Sequence, residues 1–236
     1  MTGLIINEKD IVVPGEVLAK GMDYLPAHGT YRKDDEIIAS RLGLVTVDKR
    51  LIKIIPLSGR YLPKQEDTII GEIIDITING WRLNINSAYT AMLSMKDATQ
   101  DFIRKGADLT RWFDIGDYVV TSIRNVTSQN LVDLTMRGPG LRKLRGGRIT
   151  KVNCNKVPRI IGKGGSMVGM VKKATNCNII VGQNGFVWVQ GNPQDEVLAI
   201  ETIKMIESNS HVSGLTEDIK TFLEKKTGNK LDIGGK

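Results

Sequence analysis

The chain has 236 residues, 33 Lys and Arg against 26 Asp and Glu, a net charge of +7, and 41% hydrophobic residues. That length predicts about two domains, or three small modules, with enough apolar side chains to build cores. No run nears the roughly 18 apolar residues of a membrane span, the N-terminus lacks a basic region followed by an apolar signal core, and two cysteines exclude a disulfide framework or a four-ligand zinc ribbon. The expectation is a cytoplasmic protein with no metal and no cofactor.

Charge is unevenly shared. Residues 65–138 are net −3, whereas residues 139–208 are net +7, equal to the whole excess. Between Asp133 and Asp195 lie 61 residues without one acid and with eleven cations: Arg137, Arg142, Lys143, Arg145, Arg148, Lys151, Lys156, Arg159, Lys163, Lys172 and Lys173. A solvated face usually mixes both signs, so a field this one-sided points to a phosphate backbone as partner.

Residues 1–64 read as a small antiparallel sheet. An extended run over 11–18 is broken by Pro14-Gly15, and residues 27–32 are a turn entering a strand. Two apolar runs, 37–47 and 51–57, flank a hairpin tip at Asp48-Lys49-Arg50. Nothing there suggests catalysis, and His28 reads as a turn residue. Residues 60–67 are polar, carry a proline and read as a linker.

Residues 65–138 are again β-rich. The run 68–78, an Asn79-Gly80 hairpin turn, strands near 81–86 and 92–95, a helical or looped insert over 96–112, and runs at 114–126 and 131–138 follow in order. Five strands with a longer connection after the third predict a small closed barrel of the OB type. Asp97, Asp101, Asp108, Asp114 and Asp117 invite a metal-hydrolysis reading. No pair of them is spaced to enforce a shared site, and helix ends and turns account for them better.

Residues 139–208 follow a hinge at Arg137-Gly138-Pro139-Gly140. A strand over 148–153 leads to a short helix with Pro158 in its first turn. Then come Gly162-Lys163-Gly164-Gly165, a helix from Ser166, two strands around Gln183-Asn184-Gly185, and a helix with apolar spacing at Val197, Ile200, Ile203 and Ile206. The order is β-α-α-β-β-α. Glycines at 162 and 165 let a ligand's backbone pass close, the helix start at Ser166 offers free N–H groups to phosphate, and Lys163 adds a charge. The Gly-x-x-x-x-Gly-Lys-Ser/Thr pattern of a nucleotide loop is absent. Cys154 and Cys177 read as free thiols in or near a core, and Phe186 and Trp188 as core. Residues 209–236 hold a helix with Thr216 as N-cap, a stripe of Ile219, Phe222 and Leu223, and a stop at Gly228. His28 and His211 are isolated from each other.

Gly71-Glu72-Ile73 and Asp114-Ile115-Gly116-Asp117 resemble the S1-type RNA-binding barrel. Asn79 and Arg82, with Trp81 between them, stand where that family usually places aromatics; Arg82 and Arg124 are candidates to line a channel. The Gly162–Gly165 loop after Ile160-Ile161 strongly resembles a type I KH domain. That likeness implies a clamp on about four nucleotides of single strand, with Arg159, Ile160, Gly162, Lys163, Gly164, Gly165 and Lys172 as RNA-binding residues. With Val13-Pro14-Gly15-Glu16 and His28-Gly29-Thr30-Tyr31 in the first module, the whole order resembles the KH-containing RNA-binding cap subunits of the archaeal exosome. The resemblance implies three caps on a hexameric ring of RNase PH-like subunits. The N-terminal module would touch the ring, the barrels surround the pore and the KH domains lie outside. Single-stranded RNA 3′ ends would pass to phosphorolytic sites on other chains, leaving this chain non-catalytic. A transcription elongation or antitermination factor with S1 and KH modules is the rival, but it carries KH units of the other topology.

Overall fold

A computed structural model describes residues 3–101, 103–104, 106–210 and 214–228; His211 lies outside the described residues. The chain divides into two compact units, Met1–Gly59 and Arg60–Lys236. Residues 60–67, read as a linker, are folded into the second unit. Tyr61 is buried among the barrel's core residues and its hydroxyl donates to Asp67. Burial first, and the Asp67 bond second, push that phenol far above its ordinary pKa.

Among the described residues eight strands build the first unit: β1 (Gly3–Leu4), β2 (Ile11–Val12), β3 (Val17–Lys20), β4 (Leu25–Pro26), β5 (Thr30–Lys33), β6 (Glu36–Ala39), β7 (Gly43–Asp48) and β8 (Leu51–Pro56). They form two four-stranded sheets, β1-β3-β6-β5 and β2-β7-β8-β4, where a single antiparallel sheet was expected. The apolar run 37–47 splits after Ala39, so its first half pairs in one sheet and its second half in the other. The pairing of β4 with β8 is parallel. Leu18, Ile37, Val45, Ile52 and Ile54 fill the core. His28 sits in the turn before β5.

The second unit opens with the barrel. Strands β9 (Thr68–Thr77), β10 (Gly80–Asn84), β11 (Thr90–Ser94), β12 (Tyr118–Val126) and β13 (Val132–Thr135) run in the order β13-β11-β10-β9-β12, and a β12–β13 pairing closes the ring. The β11–β13 pair is parallel, as the five-stranded OB closure requires. The insert holds helix α1 (Met95–Ala98) and a 3-10 turn at Leu109–Arg111. Trp81 points inward: it is fully buried, donates its Nε1–H to the Phe113 carbonyl at 2.9 Å and meets the Phe113 ring edge-on at 5.1 Å.

A short strand, β14 (Arg142–Lys143), pairs with β12 and leads out of the barrel. Strand β15 (Arg148–Lys151), helices α2 (Val157–Ile161) and α3 (Ser166–Thr175), strands β16 (Asn178–Val181) and β17 (Phe186–Gln190), and helix α4 (Pro193–Ser208) follow. The sheet order is β15-β17-β16, all antiparallel, which is the type I KH arrangement. Ile203 and Ile206 of the expected α4 stripe are buried, but Val197, expected with them, is 52% exposed, and Ala199 and Thr202 are buried as well. Helix α5 (Leu215–Thr227) starts one residue before the expected cap, with Gly214 rather than Thr216 at the N-cap and Gly228 at the C-cap. It buries Leu215, Ile219 and Leu223 against the KH core, beside α3 and α4.

Barrel and KH domain share a buried joint. Ile70 and Val120, on the outer face of the barrel, pack with Leu144, Phe186 and Trp188. The β16–β17 turn enters this joint. Asn184, with no solvent exposure, donates through Nδ2 to the carbonyls of Ile70 at 2.7 Å and Ile85 at 2.9 Å, and accepts from the Ile70 N–H at 3.3 Å. The Gln183 N–H adds a bond to Thr68 at 3.0 Å, and Asn86 Nδ2 donates to the Asn184 carbonyl at 2.8 Å. Asn184→Ala leaves three backbone groups unpaired in a dry contact, each costing about 1–3 kcal/mol. Thermal unfolding should show a loss of about 2–4 kcal/mol, clearly more than for the part-buried Asn86→Ala.

Candidate nucleic-acid interface

Helix α2 is only five residues long, and Pro158 in its first turn costs no hydrogen bond. It ends at Gly162, whose φ of +74° turns the chain; Lys163–Gly165 form one 3-10 turn, with φ +61° at Gly164 and +81° at Gly165. Helix α3 then starts at Ser166 with Gly165 as N-cap and no side chain bonded to its first N–H groups. The loop glycines differ in why they are glycine. A Cβ at Gly162 would lie 2.8 Å from the Met167 Cβ and backbone nitrogen, whereas at Gly164 and Gly165 it would meet open space. Gly162 therefore closes the α2–α3 corner, and Gly164 and Gly165 keep the outer surface bare. A second Gly-x-x-Gly, Gly182–Gly185, is the turn that enters the barrel joint and has no part in this surface.

The structure brings Arg159, Lys163, Gly164 and Lys172 to the surface of this one corner, with Gly162 and Gly165 partly exposed between them. Ile160 is corrected: it is 1% exposed and sits in the KH core among Val157, Met167 and Val171. Its neighbour Ile161 is the residue that reaches the surface. Helix phase decides this, because consecutive residues point about 100° apart and the core takes Val157 and Ile160.

The acid-free window is less bare in the fold than in the sequence. Lys143 is paired with Asp117, Arg148 with Glu196 at 3.0 Å, and Lys156 donates to the Glu207 carbonyl at 2.8 Å. Arg142 lies over Trp188 and Lys151 over Phe186, 6.0 and 5.2 Å from the ring centroids. Lys163, Lys172 and Lys173 are exposed and make no ion pair among the described residues. Arg137 and Arg145, exposed and likewise without an ion pair among the described residues, lie on the connection from the barrel, so the unpaired cations comprise a group of three on the loop and α3 and a pair on that connection.

Arg82 and Arg124 stay on the outer barrel surface, each beside an acid. Arg124 holds Asp97 through both carboxylate oxygens, at 2.9 and 3.0 Å, and Arg82 stands 3.5 Å from Asp75. Arg124 borders a cleft of about 590 Å³ lined also by Asn79, Met92, Asp97, Asn125 and Asp133. Two of the other carboxylates that suggested hydrolysis have local tasks. Asp108 accepts from the Thr110 hydroxyl and N–H, the bonds that lower its pKa, and Asp117 accepts from the Asp114 N–H and Lys143. Among the described residues no three His, Cys, Asp or Glu converge as a metal site. Cys154 and Cys177 are free thiols whose pKa is raised mainly by burial, so both are held as thiols at neutral pH. No helix among the described residues is long and apolar enough to cross a membrane.

One surface escaped the sequence reading. On the sheet β2-β7-β8-β4, Ile11 pairs with Leu44, and Leu44 with Ile55. Alternation puts these three on the face opposite Val12, Val45 and Ile54, and Val13, Leu42 and Leu57 continue the same face. Ile11 is 65% exposed, Val13 55% and Ile55 53%. The signal was present as strands apolar at nearly every position, the pattern of a sheet covered on both sides.

A closed five-stranded OB barrel joined to a type I KH domain defines a class of protein whose two folds both serve single-stranded nucleic acid. Comparison narrows the class. Residues 11–48 match the model described as "Exosome complex exonuclease RRP4 N-terminal region", and residues 147–195 match the KH domain model. The chain is 43% identical to the exosome complex component Rrp4 of Methanothermobacter thermautotrophicus, over 98% of this chain and 73% of that protein. It is 41% identical to the Rrp4 of Pyrococcus furiosus, over 96% and 87%. A crystal structure of a protein provisionally described as an exosome complex RNA-binding protein superposes with a TM-score of 0.66 at 32% identity, over 71% of this chain and 97% of the other. The chain belongs to the Rrp4 family of exosome complex components, which sets the elongation-factor rival aside.

The two roles of the loop glycines separate by stability. Gly164→Ala should cost about 1–2 kcal/mol for the left-handed conformation alone. Gly162→Ala adds a clash with α3 backbone and should lower the unfolding temperature further, measured side by side in thermal melts.

Proposed function

We propose that this chain is a non-catalytic, cytoplasmic cap of the exosome that binds single-stranded RNA and guides its 3′ end to phosphorolytic sites on other subunits. The KH corner carries the reading. Arg159, Lys163 and Lys172 would meet phosphates, Gly162, Gly164 and Gly165 would let the strand lie against the backbone, and the uncapped start of α3 would add N–H donors. Ile161 takes the place first given to Ile160 as the apolar wall. Arg82 and Arg124 would line the RNA's path over the barrel, as weaker contacts, since neighbouring acids already offset their charge.

The four proposed modules are the N-terminal β domain (1–64), the S1-type barrel (65–138), the KH domain (139–208) and the helical tail (209–236). The apolar face of the first module would seat on the ring of RNase PH-like subunits, three caps to a ring. Exposed aliphatic patches of this kind mark lasting protein interfaces more than RNA contacts. Assignment of RNA cleavage to other chains is supported by the carboxylates, whose bonds are to local turns and ion pairs.

Lys163→Asp with Gly164→Asp should weaken binding of a labelled oligoadenylate about tenfold or more and flatten its salt dependence. Unchanged affinity would overturn the KH reading. Pure protein with phosphate and magnesium should leave that RNA intact, and shortening of the RNA would overturn the non-catalytic assignment. Ile11→Asp with Ile55→Asp should abolish co-purification with RNase PH-like subunits while RNA affinity stays; retained co-assembly would overturn the seating face.

A further inference from the structure

Helix α3 carries a glycine that the fold does not need. Gly169 is the fourth of its ten residues, well inside the helix, and its φ is ordinary. A Cβ built there meets nothing within 4 Å. Alanine would therefore fit without strain, and glycine in a helix interior costs about 1 kcal/mol relative to alanine. Among the described residues neither a turn, a cap nor a close helix crossing accounts for it.

Its surroundings say what does. Helical geometry places Gly165 and Ser166 on one side of Gly169 and Lys172 and Lys173 on the other, all on neighbouring parts of one surface. The opposite face of α3 is the core face, with Met167, Met170 and Val171 buried. The bare position thus lies between the glycine loop and two exposed lysines, about 10 Å of helix in all. No acid of α3 interrupts it.

We infer that Gly169 opens a trough through which the sugar-phosphate backbone of the bound single strand leaves the glycine loop and reaches Lys172 and Lys173, making residue 169 a determinant of how much of the strand is gripped. This rests on the KH reading above and extends it beyond the Gly162–Gly165 loop. A side chain at 169 would stand where the ribose and phosphate pass and hold them off the helix. The two lysines would then face solvent rather than RNA.

The test uses the full chain and a labelled oligoadenylate. Gly169→Ala should raise the unfolding temperature and yet weaken binding about threefold, and Gly169→Leu should weaken it about tenfold or more. Loss of one phosphate contact lowers the salt slope by about 0.7 for a single strand. Lys172→Gln with Lys173→Gln should lower the slope in the native chain and change nothing further in the Gly169→Leu chain, a non-additivity that a purely structural role would not produce. Unchanged affinity for Gly169→Leu, or lysine effects that simply add to it, would overturn the trough. If the Lys163 and Gly164 double variant still weakens binding, the KH reading stands and only this inference falls; if neither set changes affinity, both fall. Loss of ring co-purification by Gly169→Leu with RNA affinity intact would also overturn it, assigning the surface to a protein partner.

Discussion

Asn184 sits where no water reaches, and its amide satisfies two carbonyls and one N–H that belong to the barrel. The residue itself belongs to the turn between β16 and β17, so the same hairpin that completes the KH sheet also fixes that sheet to the barrel. In so dry a contact the net value of each bond is modest, but leaving one unmade is costly. The apolar shell of Ile70, Val120, Phe186 and Trp188 is what keeps the site dry. Together they make the relative placement of barrel and KH domain a property of the fold. Two consequences follow for function. The outer face of the barrel around Ile70 and Val120 is covered, which leaves the far end of β12, with Arg124 and its cleft, open, and the glycine loop is tied through the same joint to that barrel.

Electrostatics act on this scaffold selectively. Many cations of the basic window are engaged by acids or rings brought from elsewhere in the chain, such as Asp117 for Lys143 and Glu196 for Arg148. Exposed pairs like Arg124–Asp97 add little stability in water, yet they offset the local field that would otherwise draw a phosphate to the barrel. What remains is a positive edge along the glycine loop and α3, with Arg137 and Arg145 on the connection from the barrel. Such a distribution suits a single strand tracked by its backbone better than a duplex spread over a broad cationic face.

The module order was legible in the sequence because it is written in local signals: strand alternation with Asn79-Gly80, three strands and then two more across one long insert, and a glycine loop between two helical patterns. What failed to show depends on partners distant in the chain. Nothing near Asn184 marks it as different from any Asn-Gly turn, since its partners, Ile70 and Ile85, lie about a hundred residues away. The KH likeness points to Ile160 as a contact, and the five residues of α2 are too few for periodicity to tell it from Ile161. Val197 was misplaced for the opposite reason: α4 buries Ala199 and Thr202, small or polar residues that an apolar count passes over. The split of residues 37–47 between two sheets turns on a break after Ala39 that the apolar run conceals.

Glycine content, often taken as a mark of flexibility, divides here by physical cause. Gly162 is demanded from within, since any side chain would strike the start of α3. Gly164, Gly165 and Gly169 face open space, and the first two at least have a backbone conformation to justify them. Gly169 has neither constraint, so the folded chain would be more stable without it. Domains keep only about 5–15 kcal/mol of net stability, and a feature that lowers it by about 1 kcal/mol without internal reason is the kind that stability alone would not place. The cost of such a residue is read in the isolated protein, but its cause lies in whatever approaches the helix. On a helix whose own charges are all positive, with Lys172 and Lys173 exposed and no acid in α3, the approaching group is most simply an anion that must come closer to the helix axis than a side chain permits.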